Sequence, residues 1–431
     1  MKKSINMLSK FYLILLIVGF ISSCDNDDNL NMANQNNTPP SSFSLINLPD
    51  GSANTDLTQL TFSWESAIDI DGDPVVYEVQ FGTDPSNLGS ALVEITTDTS
   101  MILTDRANTC TTYYWRVIAR DDKGGETESN NIFSFTTRPI NINSNPIIDD
   151  ASFAKRSRHK TIIYDDRLWL IAGTTKDGVT NNFIRYNDVY STLDGFNWEE
   201  MTNEAQFSKR FGHASVSFNN KMWVIGGNDG TPKNDVWSST DGFNWTLETA
   251  NANFTAMNHP KAIVFESKIW LFQNSEVWNT SNGVNWVLVN PQAGFMPREG
   301  YSVSVFKDEI WLIAGRSSLE DLKNDVWKSS DGINWIQITD NASFSPRFHH
   351  STTVFDDYLY VIGGQEQPII GETNDIWKSK DGAIWTLVTN NGFFEERVFH
   401  TSITYDDKLW VIAGSESLFD GAGFNDVWVM D

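Results

Sequence analysis

The chain has 431 residues, of which 40% are apolar and 13% are aromatic, a composition typical of a globular protein with more than one domain. Its formal net charge is −25 at pH 7. We therefore expect no nucleic-acid partner, because binding to phosphate groups needs clustered lysine and arginine. The acidity otherwise favours solubility.

Residues 1–23 are typical of a secretion signal. Lys2 and Lys3 precede an apolar stretch at 11–21, which is too short to span a membrane comfortably. The stretch ends in Ile-Ser-Ser-Cys, which resembles the lipobox of bacterial lipoproteins. The resemblance implies that Cys24 is lipidated and that its acyl chains anchor the protein to a membrane.

The residues that follow Cys24 predict a tether over 24–41, because they are rich in Asn, Asp, Ser and Pro and have little to bury. The acidic stretch at 25–28 resembles the export tag of surface lipoproteins in Bacteroidota. This implies an outer-membrane protein exposed at the cell surface, and an ordinary polar tether is the alternative. Cys110 is the only other cysteine, so a lipidated Cys24 leaves it no disulfide partner.

Residues 42–138 predict a small β-sandwich. Four stretches alternate between polar and apolar residues: 60–64, 75–83, 113–121 and 132–137. Their order, with Trp64 on an early strand and Tyr113-x-Trp115 on a late one, resembles a fibronectin type III domain. The loop Asp-Ile-Asp-Gly-Asp at 69–73 has the carboxylate spacing of a calcium loop, but a turn between strands is the alternative, since no downstream Glu completes a cage.

From residue 139 to 431 one unit recurs with a period near 50 residues. An Asn-Asp-Val-aromatic strand or a close variant recurs in five units, with a diverged copy at Ser275 in the third. An Asp-Gly or Asn-Gly turn, which is a strong hairpin signal, follows it in the first five units. Such a period with four short strands per unit predicts propeller blades. The turn sequence Ser-x-Asp-Gly-x-x-Trp also resembles a shortened Asp-box.

The arginine–histidine entry, the glycine pair after the second strand and the later tryptophan resemble kelch repeats. The resemblance implies an all-β chain in which the sandwich precedes a six-bladed kelch-type β-propeller. Because the sixth unit ends without a fourth strand, we expect residues 139–150 to complete it and to close the ring.

Aligning the units places one arginine in nearly every unit, with Ala256 in unit three: Arg156, Arg210, Arg298, Arg347 and Arg397. Three positions later lie His159, His213, His259, His350 and His400, with Tyr301 in unit four. One interpretation pairs each arginine with the acid of the third strand. The other places the arginines at a mouth of the channel, where they would bind an anion.

In kelch domains the usual binding face carries the loops that join strands 2–3 and 4–1, so unit-specific residues near these loops are candidate contacts: Arg158, Phe183, Tyr186, Phe211, Asn258, Glu299, Tyr301, His349, Phe399 and Phe419. Binding of a glycan or protein ligand is the leading function. The alternative is a sugar-modifying enzyme of the sialic acid epimerase type, with acid/base chemistry at Glu299 beside Arg298. We expect no metal, because histidines spread around a ring do not converge on one ion, and no other cofactor.

Overall fold

The computed structural model describes most of the chain after residue 36: residues 37–55, 60–90, 92–103, 111–138, 141–178, 180, 182–318, 320–366, 371–418 and 423–431. The predicted signal peptide, Cys24, Cys110 and Phe419 lie outside these residues. The described chain is all β apart from one short 3-10 helix at Leu88–Ser90. Within it, no helix has the length and apolarity needed to cross a membrane.

The described residues divide into two compact units. One takes the residues up to Asp50 and those within 61–102 and 113–134, and the other takes the rest. The strands before residue 138 form a three-stranded sheet, β1-β3-β6, and a larger sheet, β2-β9-β7-β4-β5, with β8 paired to β7. Their bounds are β1 Leu45–Asn47, β2 Ser52–Thr55, β3 Leu60–Trp64, β4 Val76–Gly82, β5 Leu92–Thr96, β6 Ser100–Leu103, β7 Thr112–Arg120, β8 Glu126–Glu128 and β9 Phe133–Thr137.

Alternation places aromatic side chains between these N-terminal sheets. Phe62 on β3 and Trp115 on β7 are fully buried and meet edge to face, with ring centroids 4.8 Å apart. Strands β3, β4, β7 and β9 lie where the sequence predicted them. In the 69–73 loop, Asp69 accepts hydrogen bonds from the backbone N–H groups of Asp71 and Asp73, so this carboxylate serves the turn.

The remaining strands form six antiparallel sheets in chain order. Five have four strands: β10 Lys160–Tyr164 to β13 Glu199–Thr202 with β11 Arg167–Lys176 and β12 Phe183–Thr192; β14 Ala214–Phe218, β15 Lys221–Asn228, β16 Pro232–Ser239 and β17 Thr246–Thr249; β18 Lys261–Phe265, β19 Lys268–Gln273, β20 Glu276–Thr280 and β21 Val287–Asn290; β22 Ser302–Phe306, β23 Glu309–Arg316, β24 Leu322–Ser329 and β25 Ile336–Thr339; β26 Ser351–Phe355, β27 Tyr358–Gln365, β28 Glu372–Ser379 and β29 Thr386–Thr389. The sixth has three: β30 Thr401–Tyr405, β31 Lys408–Ser415 and β32 Gly423–Met430.

Each of these sheets packs its apolar face on the next sheet, and the sixth packs on the first. The first and sixth sheets share a buried cluster that includes Leu168, Leu170, Trp410 and Val427. Five similar clusters fill the other sheet–sheet interfaces. The first strands of neighbouring sheets also contact one another, including β10 with β30, so they surround a common axis.

The segment before β10 completes the sixth sheet. Ile142 bridges Met430 and Ile148 bridges Val427, both antiparallel to β32. The backbones of Asn141 and Asp431 also exchange two hydrogen bonds, at 2.7 and 3.2 Å. The outer edge of β32 is therefore paired by the start of the same ring, which removes an open edge.

The Asp-Gly turns connect neighbouring sheets as well as neighbouring strands. Gly242 has φ 74°, and a Cβ at this position would lie 2.0 Å from the Trp169 ring of the preceding sheet. A glycine is therefore required both by the turn and by the indole. The sixth sheet has no such turn, and the corresponding position of the fifth sheet is Tyr360 instead of tryptophan.

Candidate binding site at the channel mouth

The five repeated arginines are internal. Four are completely buried, and Arg298 is 4% exposed. Each guanidinium binds both carboxylate oxygens of the aspartate on the third strand of its sheet, at 2.5–2.9 Å, in the pairs Arg156–Asp188, Arg210–Asp235, Arg298–Asp325, Arg347–Asp375 and Arg397–Asp426.

Backbone carbonyls accept hydrogen bonds from Nε and Nη1 of each arginine. Arg347 Nε donates to the Ser345 carbonyl at 3.1 Å, and Nη1 donates to the Gly363 carbonyl at 3.0 Å. Burial alone would raise the pKa of Asp375, but its hydrogen bonds and ion pair with Arg347 outweigh this and hold the pKa below its ordinary value. Since these guanidinium groups are enclosed and each of their nitrogens is hydrogen-bonded within the protein, they do not form a ligand-binding face, and the pairing interpretation is the correct one for them.

The asparagine and the tryptophan of the repeated strand motif also form hydrogen bonds within the protein. The asparagine before the aspartate donates to carbonyls of the loop that enters the next sheet; Asn187, for example, binds the carbonyls of Ala205 and Phe207. The tryptophan two residues after the aspartate donates its indole N–H to the same carboxylate, as Trp377 does to Asp375 at 2.6 Å. The motif is therefore structural, which explains why it recurs.

In sheet three the structure shifts the alignment of the repeated positions by one residue. Its first strand begins at Lys261, so the position equivalent to the buried arginines is Met257, not Ala256, and the histidine position is Pro260. His259 instead occupies the position before it, where it adopts φ 60°. The acid of this sheet, Glu276, accepts a hydrogen bond from Trp278 at 3.1 Å.

At that preceding position every sheet has a residue with left-handed backbone: Arg158, Gly212, His259, Gly300, His349 and Phe399. Their backbones link neighbouring sheets, since the N–H of Gly212 donates to the Arg158 carbonyl and that of Arg158 donates to the Phe399 carbonyl. In the same way, the N–H of His259 donates to the Gly212 carbonyl, that of His349 to the Gly300 carbonyl and that of Phe399 to the His349 carbonyl. The six residues therefore surround the axis at one end of the first strands.

Four of these residues fill the mouth with side chains, and we call Arg158, His259, His349 and Phe399 the mouth cluster. The rings of His349 and Phe399 have centroids 4.0 Å apart, and His259 stacks on Phe399 at 5.7 Å. Gly212 leaves room for them, because a Cβ there would lie 2.6 Å from the His259 ring. Residues from sheets one, three, five and six thus meet at one point.

Arg158 is the charged member of the mouth cluster. Its guanidinium lies 4.1 Å from the Phe399 ring centroid, 5.4 Å from that of Phe211 and 6.0 Å from that of Phe183. It donates one hydrogen bond, to the Leu418 carbonyl at 3.0 Å, and among the described residues it has no carboxylate partner. Burial lowers the pKa of Arg158 to about 10, so it remains positively charged at neutral pH.

The other predicted contact residues fall into two groups. Tyr301 is buried inside the ring and does not contribute to the surface, whereas Tyr186 is half-buried and its ring centroid lies 4.5 Å from the Arg156 guanidinium. Phe183, which is 45% exposed, and Asn258 lie at the surface beside the mouth.

The two residues of the candidate catalytic pair, Glu299 and Arg298, bind different partners. Glu299 is exposed and accepts two hydrogen bonds from Arg316, at 2.6 and 2.8 Å. Arg298, its neighbour in sequence, points instead to Asp325 in the interior. The two groups therefore do not act on one substrate atom in this arrangement.

The hairpins around the mouth are unequal. In sheet one β11 and β12 extend the hairpin to Lys176 and Phe183, whereas in sheet three only Asn274 and Ser275 separate β19 from β20. The mouth is therefore bounded by a tall hairpin on one side and a low turn on the other. Within the described residues, no group of three or more His, Cys, Asp or Glu is arranged to hold a metal ion.

Comparison with known proteins agrees with this architecture. The family model of the DUF6242 beta propeller domain matches residues 149–429, more than half of the chain. The chain belongs to the DUF6242 beta propeller domain family. The DUF6242 propeller is also similar to a solved structure titled "Structure of YjhT", with a TM-score of 0.54 and 13% identity over 66% of this chain and 96% of that one. At this identity the similarity shows the fold alone, and no curated protein matches the chain.

Proposed function

We propose that this protein is a binding module whose ligand docks at the channel mouth. The observation that carries the proposal is Arg158, a largely enclosed cation that lies on an aromatic ring and has no carboxylate partner among the described residues. A buried charge without a counter-ion is unfavourable. An anionic ligand would supply that counter-ion.

The surroundings of Arg158 favour an acidic glycan as the ligand. Phe183 and Phe211 flank the guanidinium and offer apolar surface to a sugar ring, while Arg158 offers hydrogen bonds to a carboxylate or sulfate. One enclosed guanidinium at the mouth and the one-sided hairpins suit a small ligand group better than a broad protein surface. An acidic segment of a partner protein is the other ligand class that the test below detects.

The enzymatic alternative, a sugar-modifying enzyme of the sialic acid epimerase type, has less support. It needs Glu299 to exchange protons with a substrate held by Arg298. Both side chains instead have internal partners, Arg316 and Asp325. The geometry therefore favours binding over catalysis.

We further propose that the six sheets are the blades of a kelch-type propeller and that the N-terminal strands form a fibronectin type III-like sandwich. In this view residues 42–138 act as a stalk between the propeller and a lipid anchor at Cys24. The module would then be displayed at the outer surface of the outer membrane. Replacing Cys24 with Ala in expressing cells and following the loss of protein from the membrane fraction tests this part.

The binding proposal is tested with an array of acidic and neutral glycans. We expect the purified full-length protein to bind acidic glycans, and Arg158→Gln to weaken this binding at least about tenfold, because it removes a charge-assisted hydrogen bond. Arg167→Gln is the matched control. Arg167 begins β11 at the end of the strand away from the mouth, so this variant loses the same charge without changing the mouth.

Equal binding by wild-type protein and Arg158→Gln would contradict the proposed site. If no acidic glycan binds, the glycan part is wrong. In that case, loss of a partner protein's binding in Arg158→Gln, but not in Arg167→Gln, would keep the mouth as the binding face with a protein ligand.

A further inference from the structure

Beneath the mouth lies an axial cavity of about 200 Å3. It is lined by the beginnings of the first strands of all six sheets, and most of its lining groups are hydroxyls, amines or imidazoles. One water molecule needs roughly 10–15 Å3 of such space, so the cavity has room for several waters or for one polyatomic ion. The lining residues follow the six left-handed residues of the ring by one to three positions in sequence.

Two lysines occupy equivalent positions in this cavity. Lys160 begins β10 and Lys261 begins β18, and both are half-buried. The same position carries Ala214, Ser302, Ser351 and Thr401 in the other sheets. Neither lysine forms an ion pair with any described carboxylate, although the chain as a whole has an excess of 25 negative charges.

Further polar groups in or beside the cavity lack partners. The hydroxyls of Ser215 and Ser402, which line the cavity, are buried with no hydrogen-bond partner among the described residues. Both ring nitrogens of His213 also lack a hydrogen-bond partner among the described residues, and this side chain is completely buried near Lys160. Buried polar groups are normally bonded, so a cavity with this many free donors is built for an occupant.

We propose that the axial cavity binds one small oxyanion between Lys160 and Lys261. Two ammonium groups on strands of sheets one and three would share the anion's charge, and the hydroxyls of Ser215 and Ser402 would donate to its remaining oxygens. The ligand class is a free tetrahedral dianion such as sulfate or phosphate. The mouth cluster and the backbone ring close the nearer end, which favours a free ion over an anionic group on a larger ligand.

The electrostatics of the cavity agree with this assignment. Burial lowers the pKa of Lys160 to about 8, and burial together with the charge of Lys160 lowers that of Lys261 well below its ordinary value. The negative charge of a sulfate bound between the two lysines would raise both pKa values again. The other titratable and charged groups around the lysines are the cation Arg158, Tyr301 and six buried histidines. Burial keeps the pKa of each of these histidines well below 6.5: His159, His213, His259, His349, His350 and His400.

Sulfate binding to the full-length protein tests the proposal. Isothermal titration at pH 7, with chloride replaced at constant ionic strength, should give one sulfate per chain. Because sulfate stays doubly charged at alkaline pH while the lysines lose protons, its affinity should fall at least about tenfold between pH 7 and pH 10. Phosphate should compete with sulfate. A sulfated monosaccharide should not compete, and equal competition by it would overturn the free-ion assignment.

Lysine variants complete the test. Lys160→Met and Lys261→Met should each weaken sulfate binding at least about tenfold, and the double variant should abolish it. The exposed Lys268→Met is the control of equal charge. Sulfate also stabilises proteins generally, so the relevant thermal shift is the part that the double variant loses and the control keeps.

The double variant should remain folded, because it replaces two unpaired cationic groups with apolar side chains. If it does not fold, Lys160→Gln and Lys261→Gln replace it. Unchanged sulfate binding in the folded variants, or no binding by the wild-type protein at millimolar sulfate, would overturn the proposal.

Discussion

The two halves of the ring differ in the residue that begins the first strand of each sheet. At three sheet–sheet interfaces a histidine Nε2 bonds to a hydroxyl at the start of the preceding sheet, in the pairs His350–Ser302, His400–Ser351 and His159–Thr401, at 2.8–3.1 Å. At the other three interfaces that starting residue is Lys160, Ala214 or Lys261. We call these the hydroxyl half and the lysine half.

The comparison separates structure from candidate function. The hydroxyl half repeats one satisfied hydrogen bond. The lysine half lacks that bond; it has two lysines with no carboxylate partner among the described residues, and both ring nitrogens of its His213 are without a hydrogen-bond partner there. Sheet three belongs to the lysine half, and it also lacks the buried arginine and has the short turn between β19 and β20. Departures from the repeat therefore cluster in the lysine half, on the low side of the mouth.

Acidification should have the largest effect on stability. Burial lowers the folded-state pKa of all six histidines below 6.5, that of His400 to about 3. Below pH 6.5 the unfolded chain therefore binds more protons than the folded chain, and stability falls as pH falls. Each histidine contributes up to about 1.4 kcal/mol per pH unit. Urea unfolding between pH 7 and pH 4.5 measures the slope.

The same titration should distinguish the two halves. Protonated histidines in the lysine half would lie near Lys160 and Lys261, so that half should open first. Hydrogen exchange at pH 5 should then show faster exchange in β14 and β18 than in β26 and β30. Simultaneous exchange of all four strands would mean that the two halves do not differ in local stability.

Loss of one buried ion pair should have the next largest effect. Arg397→Met leaves Asp426 buried without its cation, and we expect a loss of about 3–5 kcal/mol in the free energy of unfolding. The natural counterpart is Met257 in sheet three, which has no such pair to lose, so Met257→Leu should change stability little. Urea unfolding compares both variants with the wild-type protein, and a loss under about 1 kcal/mol in Arg397→Met would contradict the pairing argument.

Removing one histidine–hydroxyl bond should have the smallest effect. Ser351→Ala should cost about 1 kcal/mol, because it leaves the buried His400 Nε2 without its partner. The reciprocal change in the lysine half, Ala214→Ser, should give no gain, since the facing position is Pro260, which has no side-chain donor or acceptor. Thermal unfolding measures both, and equal stabilisation by Ala214→Ser would remove the distinction between the halves.

Several elements could be predicted from the sequence because they depend on local chemistry that repeats. The Asp-Gly turns, the Asn-Asp-Val-aromatic strands and the pairing of residues 139–150 with the last strand follow from periodicity and from the missing fourth strand. The choice between ion pair and ligand contact for the arginines could not be made, because it depends on which face of the strand turns inward. The one-residue shift in sheet three was missed because a histidine happened to fall beside the expected position.

The sequence by itself determined the β-propeller class, the hairpins and the candidate Arg–Asp pairs, since each follows from spacing along one chain. Only the tertiary structure decided that Arg158, His259, His349 and Phe399 meet at the axis and that Lys160 and Lys261 share a cavity. These residues come from sheets that are distant in sequence, and a ring brings equivalent positions together only when it closes. Their contacts are therefore a property of closure and cannot be found within any single repeat.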